Sequence, residues 1–216
     1  ANFDSATISI LSSENGNVLD TISLPYASQP YGIVFSPNGS QAFVSLQARG
    51  EILAIDPSTK TIVETLDLEK DDKGLLRKPR GLAVSADSST LLATRFISGS
   101  THAEVYRINT ANLTLDTIIP LAQDPGTGLE EPDDTFTSRG IPNYLNSVSI
   151  APSGLTASVT AKKDNIQRGL VLDGRTPSFD STTRTIISPI NLTSNTDTLA
   201  NRVDLNDSDL AMASVY

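Results

Sequence analysis

One short phrase recurs three times in this chain, and the recurrence narrows its fold more than any single residue does. Asn38-Gly39, Asp87-Ser88 and Ser153-Gly154 are turn dipeptides, spaced by 49 and then 66 residues. Five residues past the second member of each stand Val44, Ala93 and Val159, with no gap in any copy. Before the turns run short apolar segments, "YGIVFS", "RGLAVS" and "LNSVSIA". Pro30 and Pro79 precede the first two, and Pro142 precedes the third with the register loosened by two residues. A third segment follows each pair ("EILAIDPSTKT", "EVYRINTANLT", "ISPINLTSNTD") and then a fourth ("IVETLDL", "LDTIIPL", "LANRVDL"). Brief apolar/polar alternation bounded by Pro, Gly, Asn, Asp and Ser is the pattern of strands joined by hairpins. Each unit therefore predicts four antiparallel strands, A to D.

A repeated unit of this size buries its sheet faces by stacking on its neighbours. Four-stranded propeller blades run about 40–45 residues, so the excess length here is loop insertion. The reading is an all-β β-propeller of four-stranded antiparallel blades, with strand A innermost. Composition agrees: 38% of the 216 residues are apolar, and there is no Trp. The core must then come from Val, Ile, Leu and Ala, and β-branched residues favour pleated sheets.

The chain holds about four blades' worth of sequence and reads as an arc of a larger propeller. Residues 1–29 supply strands C and D of a first blade; 30–78, 79–141 and 142–207 are full blades; 208–216 is strand A of a further one. Leu11 aligns with Ile55, which places Asn2 on Leu46, at the end of a strand B. "DLAMAS" (209–214) aligns with "GLAVSA" (81–86), a strand A. Both ends then fall inside blades, and unpaired strand edges need cover. The expected cover is the rest of a propeller or a second chain; a closed four-blade ring is the alternative.

The order Pro-x-Gly, apolar strand, turn, second strand resembles the YVTN-type propeller repeat. "PYGIVFSPNGSQAFVSL" and "ILAIDPSTKTIVETLDL" carry the resemblance. "TRFIS", "GIPNYLNSVSIAPSG", "AKKDNIQRG" and "TRTIISPINL" are similar to a bacterial subgroup often linked to di-haem cytochrome c peroxidase-like domains. That resemblance implies export to the periplasm or cell surface, with a cytochrome c domain as partner. Without cysteine there is no C-x-x-C-H, so no cofactor is expected in this chain; any haem belongs to a linked domain.

Several function classes are disfavoured. The net charge of −9 argues against dense contact with nucleic acid or an anionic membrane. No apolar run is long enough to span a bilayer as a helix. The lack of cysteine removes disulfides, thiolate metal sites and thiol nucleophiles. His102 is the single histidine and reads as a solvated loop residue. "EEPDD" (130–134) and "DLNDSD" (204–209) carry oxygen ligands but lack the Gly and terminal Glu of an EF-hand loop, so turns explain them as well. No catalytic or metal-binding residue is assigned.

A working face is nonetheless legible. In a propeller the D–A and B–C loops share one face. The A–B turns (37–40, 86–89, 152–155) are tight, whereas 69–79, 122–143, 96–102 and 162–183 are longer, and all of these are D–A or B–C loops. Tolerance alone would scatter insertions over both faces; one-sidedness marks presentation of function. Strand B delivers its last residues to this rim: Leu46, Arg95 and Lys162 as equivalents, then Gln47, Phe96 and Lys163. Strand A starts add Tyr31, Arg80 and Tyr144, and the loops add Arg139 and Arg168. The expected binding set is Tyr31, Arg80, Arg95, Phe96, Tyr144, Lys162, Lys163 and Arg168, a cationic rim suited to carboxylates. The competing reading is neutralisation by nearby acids, among them Asp71, Asp72, Glu130, Glu131, Asp133, Asp134 and Asp164. The function this favours is a non-catalytic binding or scaffold propeller that docks a partner domain or an anionic ligand. The alternative is a propeller enzyme, a lactonase- or lyase-like hydrolase or a dehydrogenase subunit, with its site in the central channel.

Overall fold

The computed structural model describes residues 1–124, 140–164 and 183–205. Strands β1 (Thr7–Leu11) and β2 (Val18–Ser23) form an antiparallel pair. Strands β3 (Pro30–Phe35), β4 (Ala42–Leu46), β5 (Glu51–Asp56) and β6 (Thr61–Asp67) form a four-stranded sheet in chain order. So do β7 (Pro79–Val84), β8 (Thr90–Arg95), β9 (Ala103–Asn109) and β10 (Thr114–Leu121). The third sheet runs β11 (Ile141–Ile150), β12 (Thr156–Asp164) and β13 (Thr183–Asn191). Two short pieces, β14 (Thr196–Asp197) and β15 (Val203–Asp204), both pair with β13. The sheets are blades of a β-propeller arc.

The repeat seen in the sequence is a repeat of register. Val44, Ala93 and Val159 pair with Ile33, Leu82 and Val148 on the inner strand of their own blade. Each inner hairpin then breaks register just below: between Pro30 and Ile33, between Pro79 and Leu82, and between Asn143 and Ser147.

The third blade departs from the expected strand D over "LANRVDL". A 3-10 turn, Leu199–Asn201, interrupts it. The interruption lets Arg202 fold back onto Asp197, with Nη2 2.6 Å from Oδ2, and onto the Ala122 carbonyl at 3.1 Å.

The core lies between blades rather than within them. Alternate side chains of one strand leave on opposite faces, so each second strand feeds two interfaces. Val44 packs with Ile8, Leu24 and Ile55 toward the β1–β2 pair, while Phe43 packs with Leu91, Ala93 and Tyr106 toward the next blade. In the second blade Leu92 and Val105 meet Val148, Val159 and Ile186 of the third. Burial on both faces explains why "AFVSL" puts apolar side chains on both faces, interrupted only by Ser45. The outer strand β6 is mostly exposed.

A hydroxyl bridges successive blades where they come closest. Ser45 accepts the Gly32 N–H at 2.8 Å and donates to the Arg80 carbonyl of the next blade at 2.8 Å. Thr94 repeats the device, accepting from Gly81 at 2.9 Å and donating to the Leu145 carbonyl at 2.8 Å. Glycine is required by the approach itself: a Cβ on Gly32 would lie 2.3 Å from the Arg80 carbonyl oxygen, and one on Gly81 2.7 Å from that of Asn146. Thr160 stands at the same place in the third blade, buried and without a hydroxyl partner among the described residues.

Candidate functional site

The first residues of the inner strands and the last residues of the second strands meet on the long-loop side. Arg80, at the start of β7, lies between two rings. Its Cζ is 3.9 Å from the Tyr31 ring centroid and 3.7 Å from that of Phe96. Phe96 in turn stacks on Tyr144, with centroids 4.8 Å apart and planes 16° from parallel. Lys162 places Nζ 4.1 Å from the Tyr144 centroid. At the other end Phe3 meets Tyr31 edge-on, at 6.5 Å and 86°. The result is one contact chain: Phe3, Tyr31, Arg80, Phe96, Tyr144, Lys162. A cation over an aromatic face gains about 0.5–2 kcal/mol, more as water is excluded.

The breaks in register are what aim these side chains. Tyr144 sits inside the β11 irregularity with φ of +49°, in the left-handed region, which is a strained place for an aromatic residue. Asn143 holds it there. Its Oδ1 accepts the Tyr144 N–H at 2.9 Å and the Ser98 N–H at 3.0 Å, and the Ser98 hydroxyl donates to the Pro142 carbonyl at 2.6 Å. The loop after β8, and with it Phe96, is thereby tied to the start of β11.

Arg80 is half-buried, and no described residue accepts a hydrogen bond from its guanidinium. Its Nε is sealed from solvent without a partner. Beside it opens a recess of about 470 Å³, lined by Ala1, Phe3, Pro30, Tyr31, Gln47 and Arg80. Gln47 Oε1 is a second buried polar atom without a partner.

Two rim cations expected from the sequence have a different environment. Arg95 is 2% exposed, with Nη2 2.7 Å from Asp71 Oδ2 and Nη1 3.2 Å from Glu104 Oε1. Lys163 is 3% exposed, with Nζ 2.9 Å from both Asp124 Oδ2 and Asp204 Oδ2. Both are therefore neutralised inside the structure rather than offered to a ligand. The reason is strand alternation. Arg95 shares the face of Ala93, and Phe96 takes the opposite one; Lys163 shares the face of Ala161, and Lys162 the opposite one. The match of Arg95 to Lys162 read from the sequence is thus one residue out of step. In role Arg95 corresponds to Lys163, and Phe96 to Lys162. Each buried cation pins an aspartate in the connection leading into its own blade: Asp71 after β6, Asp124 after β10. The Arg95 hydrogen bond, reinforced by the Leu75 N–H, holds the Asp71 carboxyl down at about 2.

Arg139 and Arg168 lie outside the described residues, as do 125–138 and most of 162–183, so two of the long loops are described only at their bases. His102 is partly exposed, with Nδ1 2.9 Å from the Thr101 hydroxyl. Among the described residues no three His, Asp or Glu side chains group as a metal site. Nor is any described helix long and apolar enough to cross a membrane. Phe3 and Asn143 are the members that sequence reasoning left out of the binding set. Asn143 stood next to Tyr144 in a strand-start position and carried a signal; Phe3 carried none.

No family model matches the chain. Over 82 residues, 38% of this chain and 20% of the other, it is 30% identical to the uncharacterized protein YncE of Salmonella typhimurium. Among solved structures it superposes on hydrazine synthase of Kuenenia stuttgartiensis with a TM-score of 0.71 at 18% identity, across 97% of this chain and 50% of that one. It matches the WD40 repeats of RRP9 with a TM-score of 0.52 at 10% identity, across 85% and 41%. The chain thus spans a fifth of the length of the curated relative and half of the hydrazine synthase chain. At these identities the likeness is one of fold: stacked four-stranded blades in a β-propeller arc.

Proposed function

We propose that this chain is a non-catalytic binding propeller that captures an anionic group on its long-loop face, with Arg80 as the receptor. The observation that carries the reading is the environment of Arg80. Its two faces are covered by Tyr31 and Phe96, and no acid among the described residues answers it, whereas Arg95 and Lys163 each hold two carboxylates. Rings on both sides orient the guanidinium plane and leave its edge as the donor surface. That edge matches the two oxygens of a carboxylate. In the same reading the protein works outside the cytoplasm beside a cytochrome c module and further blades. Its support is the resemblance of "AKKDNIQRG" and its companion phrases.

The test is titration of the intact chain with acetate and with inorganic phosphate, followed by NMR of the ring protons of Tyr31 and Phe96. Saturable shifts are expected in the wild type, with affinity down at least about tenfold in Arg80→Gln. Shifts that never saturate, or that persist unchanged in Arg80→Gln, would overturn the proposal.

A further inference from the structure

We infer that a cleft at the far end of β7 from Arg80 binds a small zwitterion, an α-amino acid whose carboxylate meets Arg107 and whose ammonium meets Asp87. The cleft opens between the tight turns of the second and third blades. Asp87, Ser89 and Thr90 line one side, Ser153 and Gly154 the other, and Arg107 of β9 reaches in from the strand. Its volume of about 230 Å³ is below the roughly 300–1,000 Å³ of sites for drug-sized molecules, which suits a ligand of amino-acid size. Two of its residues break the repeat, and both are charged. Asn38, Asp87 and Ser153 occupy one turn position. One rung before Val44, Ala93 and Val159, the residues Phe43, Leu92 and Ser158 pair with Ala54, Arg107 and Pro189. Of the three blades, the second alone carries an ion at either place.

The turn does not need the charge of Asp87. Asn38 accepts the Ser36 hydroxyl at 2.7 Å and the Ser40 N–H at 3.0 Å, just as Asp87 accepts the Ser85 hydroxyl and the Ser89 N–H. Asp87 is exposed, and the Ser85 hydroxyl, then the Ser89 N–H, hold its carboxyl at about 2, so it is ionised at neutral pH. Its Oδ2 accepts only the Ser89 hydroxyl, at 2.8 Å, and keeps room for a second donor. Arg107 is anchored through Nη1 alone, by the Leu192 carbonyl at 2.7 Å and Asn195 Oδ1 at 2.8 Å. Both acceptors are neutral. Its Nε and Nη2 bond no described residue, and neither is sealed from solvent. The cleft therefore presents a donor edge that fits a carboxylate and an acceptor that fits an ammonium, not paired with each other. A plain anion meets Arg107 but faces Asp87, and a plain cation meets the reverse; a zwitterion answers both.

The test is titration of the intact chain at fixed ionic strength, near pH 7, with L-alanine, propionate, ethylamine and glycerol, read by NMR at the Ser89 and Gly154 amides. Propionate lacks the ammonium, ethylamine lacks the carboxylate, and glycerol offers hydroxyls alone. Saturable shifts are expected with alanine, at least about tenfold tighter than with any of the other three. Asp87→Asn installs the amide that the first blade already carries; it should bring alanine down to the propionate value. Arg107→Gln should bring it down to the ethylamine value. Melting temperatures of both variants report whether the sheets are intact. Arg80→Gln should leave the alanine response unchanged, which separates this cleft from the anion receptor on the other face.

No saturable shift with alanine would overturn the inference. So would propionate, ethylamine or glycerol binding as tightly as alanine, or unchanged alanine affinity in a folded Asp87→Asn or Arg107→Gln variant. Loss of the alanine response in Arg80→Gln would place the binding at the long-loop face and overturn it too.

Discussion

The Arg95 guanidinium lies 2.7 Å from the Asp71 carboxylate, and both side chains are almost sealed from water. Glu104 takes the other amino group at 3.2 Å, and Arg77 reaches Glu104 from the far side at 3.3 Å. The pair joins the end of β8 to the connection that follows β6. Removing one partner of a buried pair strands the other. Arg95→Met should therefore destabilise the chain, read as a lowered urea midpoint. Substituting Asp71→Leu in the same variant should restore part of the loss, because the stranded charge is then gone.

The same aspartate makes stability sensitive to acid. Asp71 is held from its ordinary 3.8 down to about 2, first by Arg95 and then by the Leu75 N–H. Asp87 is held near the same value, by the Ser85 hydroxyl and then the Ser89 N–H. A folded-state value below the unfolded one gives stability that is present above about pH 4 and lost as pH falls toward 2. The melting temperature should fall across that window, and the fall should be shallower in Asp71→Asn. An identical pH profile in the variant would show that Asp71 carries none of it.

The hydroxyl bridges between blades predict a matched pair of effects. Thr94→Val keeps the volume but leaves the Gly81 N–H and the Leu145 carbonyl unpaired in a buried place. The expected loss is about 1–3 kcal/mol. Gly81→Ala drives a methyl group against the Asn146 carbonyl oxygen and the Ser147 Cα, at 2.7 and 2.8 Å. Backbone cannot yield as a side chain does, so a loss of about 1–3 kcal/mol is expected there too. Equilibrium denaturation of both variants, with Gly99→Ala as a control whose added Cβ would meet the His102 carbonyl oxygen at an ordinary 3.7 Å, measures the difference.

Phe96 touches both Arg80 and Tyr144. Phe96→Leu should remove the ring-current shift on the Arg80 Nε proton and weaken acetate binding by roughly 2- to 30-fold, the span of a cation–π contact. Because Phe96 is half-buried at the rim and outside the buried core clusters, stability should change little. A large drop in melting temperature would instead mark it as a core residue.

Blade identity, strand order and the inner-hairpin register all follow from local chemistry. Asn38-Gly39 and Ser153-Gly154 place a glycine at φ near +72°, and Ser88 takes the same left-handed position in the second blade. Short-range alternation then carries Val44, Ala93 and Val159 to matching rungs. The candidate site was only half legible. Tyr31, Arg80, Phe96, Tyr144 and Lys162 do converge, because strand ends are where a propeller presents side chains. Which cations stay unanswered was not legible. A one-residue difference in register sends a side chain to the opposite face, and that difference separates Arg95 from Phe96 and Lys163 from Lys162.

The acids that decide the matter are distant in sequence: Asp71 is 24 residues from Arg95, and Asp124 is 39 from Lys163. The broken strand after β14 likewise depends on where Arg202 finds Asp197 and the Ala122 carbonyl. Local sequence sets turns and periodicity because those depend on a residue and its immediate neighbours. Charge pairing and ring stacking depend on which blades face each other, so only the packed arc settles that Arg95 and Lys163 are braced by carboxylates while Arg80 lies between rings with no described carboxylate partner.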